Sequence, residues 1–253
     1  MKIAICLYGQ PRNWMTGFAS LSREFINKYD VDVFGHTWWS EEQVGQFYDT
    51  SITRGKYPIE SNLPDKIDKA YNFSNIVFEH SKSFIPDKKY NVPPERNHNK
   101  WMDAIKSQYY SLQSSVRLCK EYEEENNLDY DWIIVTRYDI GISENFPNLI
   151  LLDKNGIHVD NYHGNRKHII NTNFWLLGKK NKFIYENLYD DFDETYEGIL
   201  NKKNMPNYSM IEGTELEVCD EVIGEPFMAF YLLFRNLLDK VVYNTEFRYN
   251  LVR

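Results

Sequence analysis

Residues 2–8 have the sequence KIAICLY, an almost unbroken apolar run that ends at the tetrapeptide Gly9-Gln10-Pro11-Arg12. Such a run is typical of a strand that is buried on both faces, as in a parallel sheet, and is followed by a turn. Apolar residues then recur at helical spacing from Trp14 to Phe25, with Asn13 as the N-cap. A second apolar segment runs from Val31 to Phe34. Strand, helix and strand in this order predict the start of a nucleotide-binding α/β unit.

The rest of the chain continues the alternation of strands and helices. Further strands are predicted at Asn75–Glu79, Trp132–Val135, Leu149–Leu152, Gly156–Val159, Phe174–Leu177 and Lys240–Tyr243. Helices are predicted at Asp65–Tyr71, from Trp101 to the Asn126-Asn127 pair that ends the helix, at Asn181–Tyr189 and at Glu225–Leu238. No internal repeat or low-complexity linker divides the 253 residues, so we expect a single α/β domain.

Charge and cysteine content narrow the class of protein. The chain carries 29 Lys and Arg against 37 Asp and Glu, without a long basic run, so we expect no nucleic-acid partner. Its three cysteines are far apart, which favours a reducing compartment over a disulfide framework or a structural zinc site. No apolar run approaches the roughly 20 residues of a transmembrane helix, and the apolar start is too short for a signal peptide. We therefore expect a soluble, cytoplasmic protein.

Polar and aromatic residues follow three of the predicted strands. They are Tyr8, Gly9, Gln10 and Arg12 after the first, His36, Thr37 and Trp38 after the second, and Arg137 and Asp139 after Trp132–Val135. The carboxyl ends of parallel strands meet at one edge of a sheet, where ligands bind. Guanidinium and backbone N–H groups bind phosphate oxygens, and aromatic rings stack on a base. This mixture predicts a site for a nucleoside diphosphate.

Asp139 is the candidate metal ligand. It directly follows a buried strand, where a rigid carboxylate can hold Mg²⁺ or Mn²⁺ between two phosphates and offset the charge of a departing diphosphate. The alternatives are that Asp139 caps the turn before Gly141 or pairs with Arg137. A polar loop could supply another ligand, but its histidine spacing favours an exposed loop; its residues are Asp160, His163, Arg166 and His168.

Glu225 is the candidate general base. It stands at the start of a predicted apolar helix, where the helix dipole favours a carboxylate that could deprotonate an acceptor hydroxyl. The same position also stabilises a helix without any catalytic role. Asp220 and Glu221 are rivals for the role.

Four short segments resemble small stand-alone glycosyltransferases of the GT-A type, which occur in bacterial polysaccharide clusters and in large DNA viruses. They are IAICLYGQPRNW at 3–14, DVFGHTWW at 32–39, DWIIVTRYDI at 131–140 and GEPFMAFYLL at 224–233. The resemblance implies a Rossmann-like domain in which helices flank a central mixed, mainly parallel sheet. It also implies a nucleotide-binding part at about 1–140 and an acceptor-side part at about 141–253.

In that family a D-x-D motif holds Mn²⁺ or Mg²⁺ against the diphosphate of the donor. The corresponding triplet here is Arg137-Tyr138-Asp139, in which Arg replaces the first Asp. By the same resemblance, Glu225 falls where such enzymes often place an acceptor-activating carboxylate. The departure at Arg137 leaves open whether metal binds or whether the guanidinium group itself takes over diphosphate charge.

The sequence thus predicts metal-assisted transfer of a hexosyl or pentosyl group from a nucleotide-sugar to a glycan or other hydroxyl acceptor, as in polysaccharide biosynthesis. On this view Asp139→Ala lowers transfer without unfolding the protein. One alternative is a sugar-phosphate nucleotidyltransferase, although GQPRN at 9–13 has few glycine and basic residues for the Gly-rich, basic loop of that class. The other is a non-catalytic carbohydrate-binding protein. Motifs of P-loop ATPases, dehydrogenases, zincins and α/β-hydrolases are absent from the sequence.

Overall fold

A computed structural model describes residues 1–48, 57–144, 146–160, 170, 172–205, 207–219, 224–245, 247 and 249–251. Its strands are β1 (Lys2–Gly9), β2 (Asp30–Trp38), β3 (Asn75–Glu79), β4 (Trp132–Arg137), β5 (Ile140–Ile142), β6 (Ile157–Asp160), β7 (Phe174–Gly178), β8 (Val241–Asn244) and β9 (Tyr249–Leu251). Its helices are α1 (Trp14–Leu21), α2 (Leu63–Tyr71), α3 (His98–Glu125), α4 (Phe192–Leu200), α5 (Glu215–Val218) and α6 (Gly224–Phe234). Within these residues, no helix combines the length and the apolar character that a membrane crossing needs.

Seven of the strands form one sheet in the order β3-β2-β1-β4-β7-β6-β8. Strand β1 is parallel to β2 and β4, β2 is parallel to β3, and β6 is parallel to β8. Strand β7 runs antiparallel to both β4 and β6. The carboxyl ends of six strands and the beginning of β7 therefore lie at one edge of the sheet, called here the carboxyl edge. The predicted mixed, mainly parallel sheet flanked by helices is confirmed.

Alternate residues of β1 enter two hydrophobic cores, one on each face of the sheet. Ala4, Cys6 and Tyr8 belong to the core under α3, whereas Ile3, Ile5 and Leu7 belong to the core that includes residues of α1 and α2. A strand buried on both faces needs apolar residues at successive positions, which is why residues 2–8 form an unbroken run. Burying one Leu or Ile side chain contributes about 1.5–3 kcal/mol, so the strands that carry the site are firmly held.

Three predicted elements differ from the structure. Strand β2 does not end before Gly35 but continues to Trp38. The predicted strand Leu149–Leu152 is a 3₁₀ turn, Leu149–Leu151, in which Ile150 and Leu151 are exposed. A short apolar segment forms a strand only where a neighbouring strand can hydrogen-bond to it, and the sequence alone does not reveal that neighbour.

The predicted helix Asn181–Tyr189 is a series of turns, and the helix α4 begins after it. Helix α4 was not predicted from the sequence, because acidic residues interrupt the periodic pattern of its buried residues. Those buried residues are Phe192, Thr195, Tyr196 and Ile199. Asp193 and Glu194 lie in its first turn, where the helix dipole favours negative charge. The division into a nucleotide-binding and an acceptor-side part of one domain stays a prediction.

Candidate functional site

The turn between β4 and β5 places a carboxylate between two guanidinium groups. Arg137 donates from Nε to Asp139 Oδ1 at 2.8 Å and from Nη2 to Asp139 Oδ2 at 2.6 Å. Arg12 Nη2 lies 3.4 Å from the same Oδ2 atom. The side chain of Asp139 is 2% exposed, and those of Arg12 and Arg137 are 19% and 17% exposed. These three residues, the arginine cluster, hold one negative and two positive charges at the carboxyl edge.

Backbone geometry on either side of the cluster fixes its position. Gly9, the last residue of β1, has a φ of 93°, a conformation that favours glycine and turns the chain toward Arg12. Helix α1 then packs so closely on the β4–β5 turn that a Cβ atom on Gly17 would lie 1.9 Å from the backbone oxygen of Tyr138. Asp139 follows Tyr138, so the approach of α1 holds the carboxylate in place.

The beginning of β7 completes the cluster. Arg137 Nη1 lies 3.4 Å from the side-chain oxygen of Asn173, and the hydroxyl of Thr136 donates to the backbone oxygen of Asn173 at 3.0 Å. The Tyr8 hydroxyl donates to the backbone oxygen of Thr172, and burial raises the pKa of Tyr8. Sequence reasoning missed Asn173 because it considered only carboxyl ends of strands, whereas β7 brings its amino end to this edge.

His36 lies beneath the edge in a buried hydrogen-bonded chain. Its Nδ1 atom is 2.8 Å from the Ser111 hydroxyl, which also accepts from the backbone N–H of Gly9 at 2.8 Å. Its Nε2 atom is 2.9 Å from a carboxylate oxygen of Glu79. Burial lowers the pKa of His36, although Glu79 acts in the opposite direction. Two buried serines of α3, Ser111 and Ser115, lie one helical turn apart, and they were the available sequence signal for this chain of hydrogen bonds.

Thr37 and Trp38 are also engaged inside the protein. The Thr37 hydroxyl lies 2.6 Å from the Tyr138 hydroxyl, and the Trp38 ring stacks on Tyr110 with centroids 5.8 Å apart. Both side chains are buried, as is that of His36. The predicted side-chain contacts of these three residues with a donor therefore do not fit this geometry, because β2 extends past Gly35 and their side chains are buried.

The other predicted site residues divide between the edge and the part of the chain that the structure leaves undescribed. Gly9 and Gln10 are partly exposed in the turn after β1, and Asp160 is a buried residue at the end of β6. Glu225 lies in the first turn of α6, but its side chain is outside the described residues. Five further candidates lie wholly outside the described residues: His163, Arg166 and His168 of the polar loop, and Asp220 and Glu221.

The residues around Asp139 do not fit a divalent cation. Mg²⁺ and Mn²⁺ take oxygen ligands, but both oxygens of Asp139 accept from guanidinium groups, whose positive charges would repel the ion. In the described part of the chain, no group of three or more His, Cys, Asp and Glu side chains is arranged to hold a metal ion. Asp139 forms an ion pair with Arg137, one of the alternatives left open above, and its role as a metal ligand stays a prediction that this arrangement does not favour.

No protein-family model and no curated protein matches the chain. Among solved structures, it is similar to the glycosyltransferase GlyE of Streptococcus pneumoniae TIGR4, with 10% identity and a TM-score of 0.43 over 96% of this chain and 45% of that one. It is also similar to the galactosyltransferase LgtC, solved with donor and acceptor sugar analogs, with 11% identity and a TM-score of 0.38 over 96% of this chain and 73% of that one.

A nucleoside-diphosphate-sugar pyrophosphorylase from Vibrio cholerae RC9 is similar as well, with 12% identity and a TM-score of 0.36 over 96% of this chain and 91% of that one. This chain spans less than half the length of GlyE. At TM-scores below 0.5 these similarities carry no argument about activity, which has to come from the residues of the site.

Proposed function

We propose that this chain is a glycosyltransferase that moves a sugar from a nucleotide-sugar donor to a hydroxyl group of a glycan or other acceptor. The observation that carries the proposal is the arginine cluster, in which Arg12 and Arg137 converge on buried Asp139 at the carboxyl edge. Ligands of open α/β sheets bind at this edge. The guanidinium group suits the diphosphate of such a donor because its planar fork matches the oxygens of a phosphate.

Arg137 has N–H groups to offer to a phosphate. A guanidinium group carries five N–H donors, and the hydrogen bonds of Arg137 to Asp139 and Asn173 use three of them. Asp139 acts as a positioning residue, because its bidentate bond fixes the plane of the Arg137 guanidinium. Two preoriented cations stabilise negative charge more effectively than mobile ones, since they need no reorganisation during the reaction.

In the proposed reaction, the acceptor oxygen forms a bond to the anomeric carbon of the donor sugar while the bond from that carbon to the diphosphate breaks. The diphosphate departs with the electron pair, and the guanidinium groups of Arg12 and Arg137 stabilise its charge. The acceptor proton passes to a general base. Glu225 stays our prediction for this base, since it lies in the first turn of α6.

In the reaction proposed above, Arg12 and Arg137 stabilise the departing diphosphate, and no step uses a metal ion. A requirement for Mn²⁺ or Mg²⁺, the identity of the hexosyl or pentosyl group and a place in polysaccharide biosynthesis stay predictions from the family resemblance. A bound cation would supply further positive charge to the departing diphosphate. Its ligands would have to come from outside the described residues around Asp139.

A thermal-shift screen tests the proposal. The wild-type protein is heated with UDP-, GDP-, CMP- and dTDP-sugars, each in EDTA and in Mn²⁺, because a ligand of the native state raises the melting temperature. We expect one nucleotide class to do so in EDTA. Arg12→Met should weaken its affinity about tenfold to a hundredfold, the effect of one charged hydrogen bond. Arg23→Met is the control, since the partners of Arg23 are Glu24, Glu144 and the backbone oxygen of Ile142, and not Asp139.

Three outcomes contradict the proposal. One is that none of the nucleotide-sugars raises the melting temperature in either condition. Another is that Arg12→Met and Arg23→Met bind the donor equally well, which would remove the arginine cluster from the site. The third is release of pyrophosphate from a nucleoside triphosphate and a sugar phosphate, which would identify a nucleotidyltransferase.

A further inference from the structure

A second candidate binding site lies beside the carboxyl end of β3. It is a cavity of about 560 Å³ between the loop 82–90, helix α3 and the residues around the start of α4. None of the residues predicted to bind the donor lines it. Strand β3 is three strands away from β4 in the sheet, which is about 14 Å at about 4.8 Å per strand. The cavity is therefore separate from the arginine cluster, and its volume lies within the range of small-molecule sites.

Three aromatic rings form a corner on one side of the cavity. The rings of Tyr110 and Tyr189 stand at 89° to each other with centroids 5.4 Å apart. Phe84 closes the corner, with its centroid 5.3 Å from Tyr110 and 5.6 Å from Tyr189. Both tyrosines are partly exposed. A pyranose ring has C–H groups on its faces and hydroxyl groups at its rim, so it can lie on one ring and meet the other edge-on.

Fixed hydrogen-bonding groups face this corner. Asp193 accepts from the Tyr90 hydroxyl and lies 3.6 Å from Lys88 Nζ and 3.5 Å from Lys106 Nζ. Lys88 also lies 3.0 Å from Glu197. An ammonium group has three N–H donors and a carboxylate has several acceptor positions, so these ion pairs retain capacity for hydroxyl groups. Such a set of donors and acceptors is what the rim of a sugar ring requires.

The charged groups of the cavity show no excess of positive charge, which favours a neutral ligand over an anion. Its lining contains three lysines and two aspartates, which are Lys82, Lys88, Lys106, Asp87 and Asp193. Two further carboxylates pair with the lysines, since Glu79 bonds to Lys82 and Glu197 bonds to Lys88. A phosphate or a uronate would meet these four carboxylates as well as the three lysines.

We propose that this cavity binds a neutral sugar residue of the acceptor glycan, at a distance from the sugar that reacts. The assignment rests on the proposed glycosyl transfer, because only that reaction calls for an acceptor glycan. Both the cavity and the arginine cluster lie toward the carboxyl edge. An acceptor chain that occupies the cavity thus extends along this edge toward the arginine cluster, and the cavity selects acceptors by a residue remote from the new bond.

Methyl NMR of the full chain tests the assignment directly. Ile85 lines the cavity and is 57% exposed, so its δ1 methyl group reports on a bound sugar. Ile150 is 70% exposed in the Leu149–Leu151 turn and serves as the control signal in the same spectrum. The probes are methyl β-D-glucopyranoside, methyl β-D-galactopyranoside, chitotriose and a galacturonate trimer. We expect the neutral sugars to shift the Ile85 signal but not that of Ile150.

A matched pair of lysine variants locates the binding energy. Lys88→Met removes one charged hydrogen-bond donor from the cavity and should weaken sugar binding about tenfold. Lys154→Met removes another half-exposed lysine, which pairs with Asp131 at 2.8 Å, and should leave sugar binding unchanged. Equal affinity in the two variants would overturn the assignment.

Two further outcomes overturn it, and both can be told apart from failure of the proposed function. If no neutral sugar shifts Ile85, or if the galacturonate trimer binds more tightly than the neutral sugars, the cavity is not the site described here. If nucleotides alone shift Ile85, it belongs to the donor. The thermal-shift screen measures donor binding independently of the cavity. The proposed glycosyl transfer can therefore be supported even when the assignment of the acceptor cavity is rejected.

Discussion

Replacing Asp139 by Ala is expected to lower the free energy of unfolding by about 3 kcal/mol. The carboxylate is buried and accepts two hydrogen bonds from Arg137, so the substitution leaves two guanidinium groups facing each other without their counter-charge. Breaking a buried ion pair by removing one partner costs about 3–5 kcal/mol. The lower end applies here, since Arg12 and Arg137 retain some exposure and can recruit water.

Urea unfolding measures this loss, with the midpoint shifted and the m-value unchanged. Asp129→Ala is the matched control, because Asp129 is a half-exposed carboxylate that pairs with Lys179 and Lys182. An exposed pair contributes about 0–1 kcal/mol, so the control should lose little. The double variant Arg137→Met with Asp139→Leu should recover much of the loss, since apolar residues often replace a buried pair without penalty. A cycle completed by the single variants Arg137→Met and Asp139→Leu should give a coupling of about 0.5–3 kcal/mol.

An Asp139→Ala variant as stable as Asp129→Ala would refute this reasoning. It would mean that the Arg137–Asp139 pair is open in solution and that the carboxylate is available to a ligand. If, in addition, Mn²⁺ raised the melting temperature of the wild type but not of Asp139→Ala, the metal role predicted from the sequence would be restored. A loss of about 3 kcal/mol leaves most domains folded at 25 °C, so donor binding can be measured in the same variant.

Three further predictions concern the surroundings of the cluster. Gly17→Ala should lower the free energy of unfolding by more than about 2 kcal/mol, measured with urea, since its Cβ would lie 1.9 Å from the Tyr138 backbone oxygen. In the control Gly198→Ala the new Cβ would make ordinary contacts at 3.5 Å, so this variant should be as stable as the wild type or more stable. Burial lowers the pKa of His36, so the neutral imidazole stabilises the folded state fully above its usual pKa of 6.5, and this stability is lost as the pH falls. The variant His36→Gln should therefore show a flatter dependence of melting temperature on pH below about pH 6.5. Parallel profiles of the wild type and the variant would contradict this. Arg137→Lys keeps the charge but loses the fork, and calorimetry should find donor affinity reduced about tenfold, whereas unchanged affinity would exclude bidentate binding.

The strands that carry the site were predictable because their burial leaves a strong trace in the sequence. Strand β3 was predicted with the bounds that the structure has, and β1 and β4 to within two residues. Each is an apolar segment that ends in polar residues, which is the pattern expected of strands within a parallel sheet. The small sheet of β5 and β9 was missed, since three-residue strands contain too few positions to reveal a period.

Side-chain direction was the part of the site that the sequence did not disclose. The sequence places His36, Thr37 and Trp38 of β2 near the carboxyl edge. It does not indicate whether their side chains are exposed to solvent or buried. Successive residues of a strand point to opposite faces, and both faces of this sheet are covered. Residues 33–38 of β2 are therefore buried on either side, whereas partly exposed groups appear at the last residue of β4 and in the turn after β1. That rule explains why Arg12 and Arg137 meet at the edge while His36 does not.

The arginine at the first position of the 137–139 triplet changes the electrostatics of the site rather than merely weakening a motif. Two aspartates at these positions would repel each other until a divalent cation bound between them, and the cation would then face the diphosphate. Arg137 pairs with Asp139 within the chain, and Arg12 brings a second guanidinium group to the same carboxylate. A divalent ion brought to this cluster would be repelled, because two unit charges about 4 Å apart interact by about 4 kcal/mol at an effective dielectric constant of about 20. A diphosphate would be attracted by the same field. The substitution thus favours the anion over the metal, which is why donor binding in EDTA is the measurement that separates this site from one built on two carboxylates.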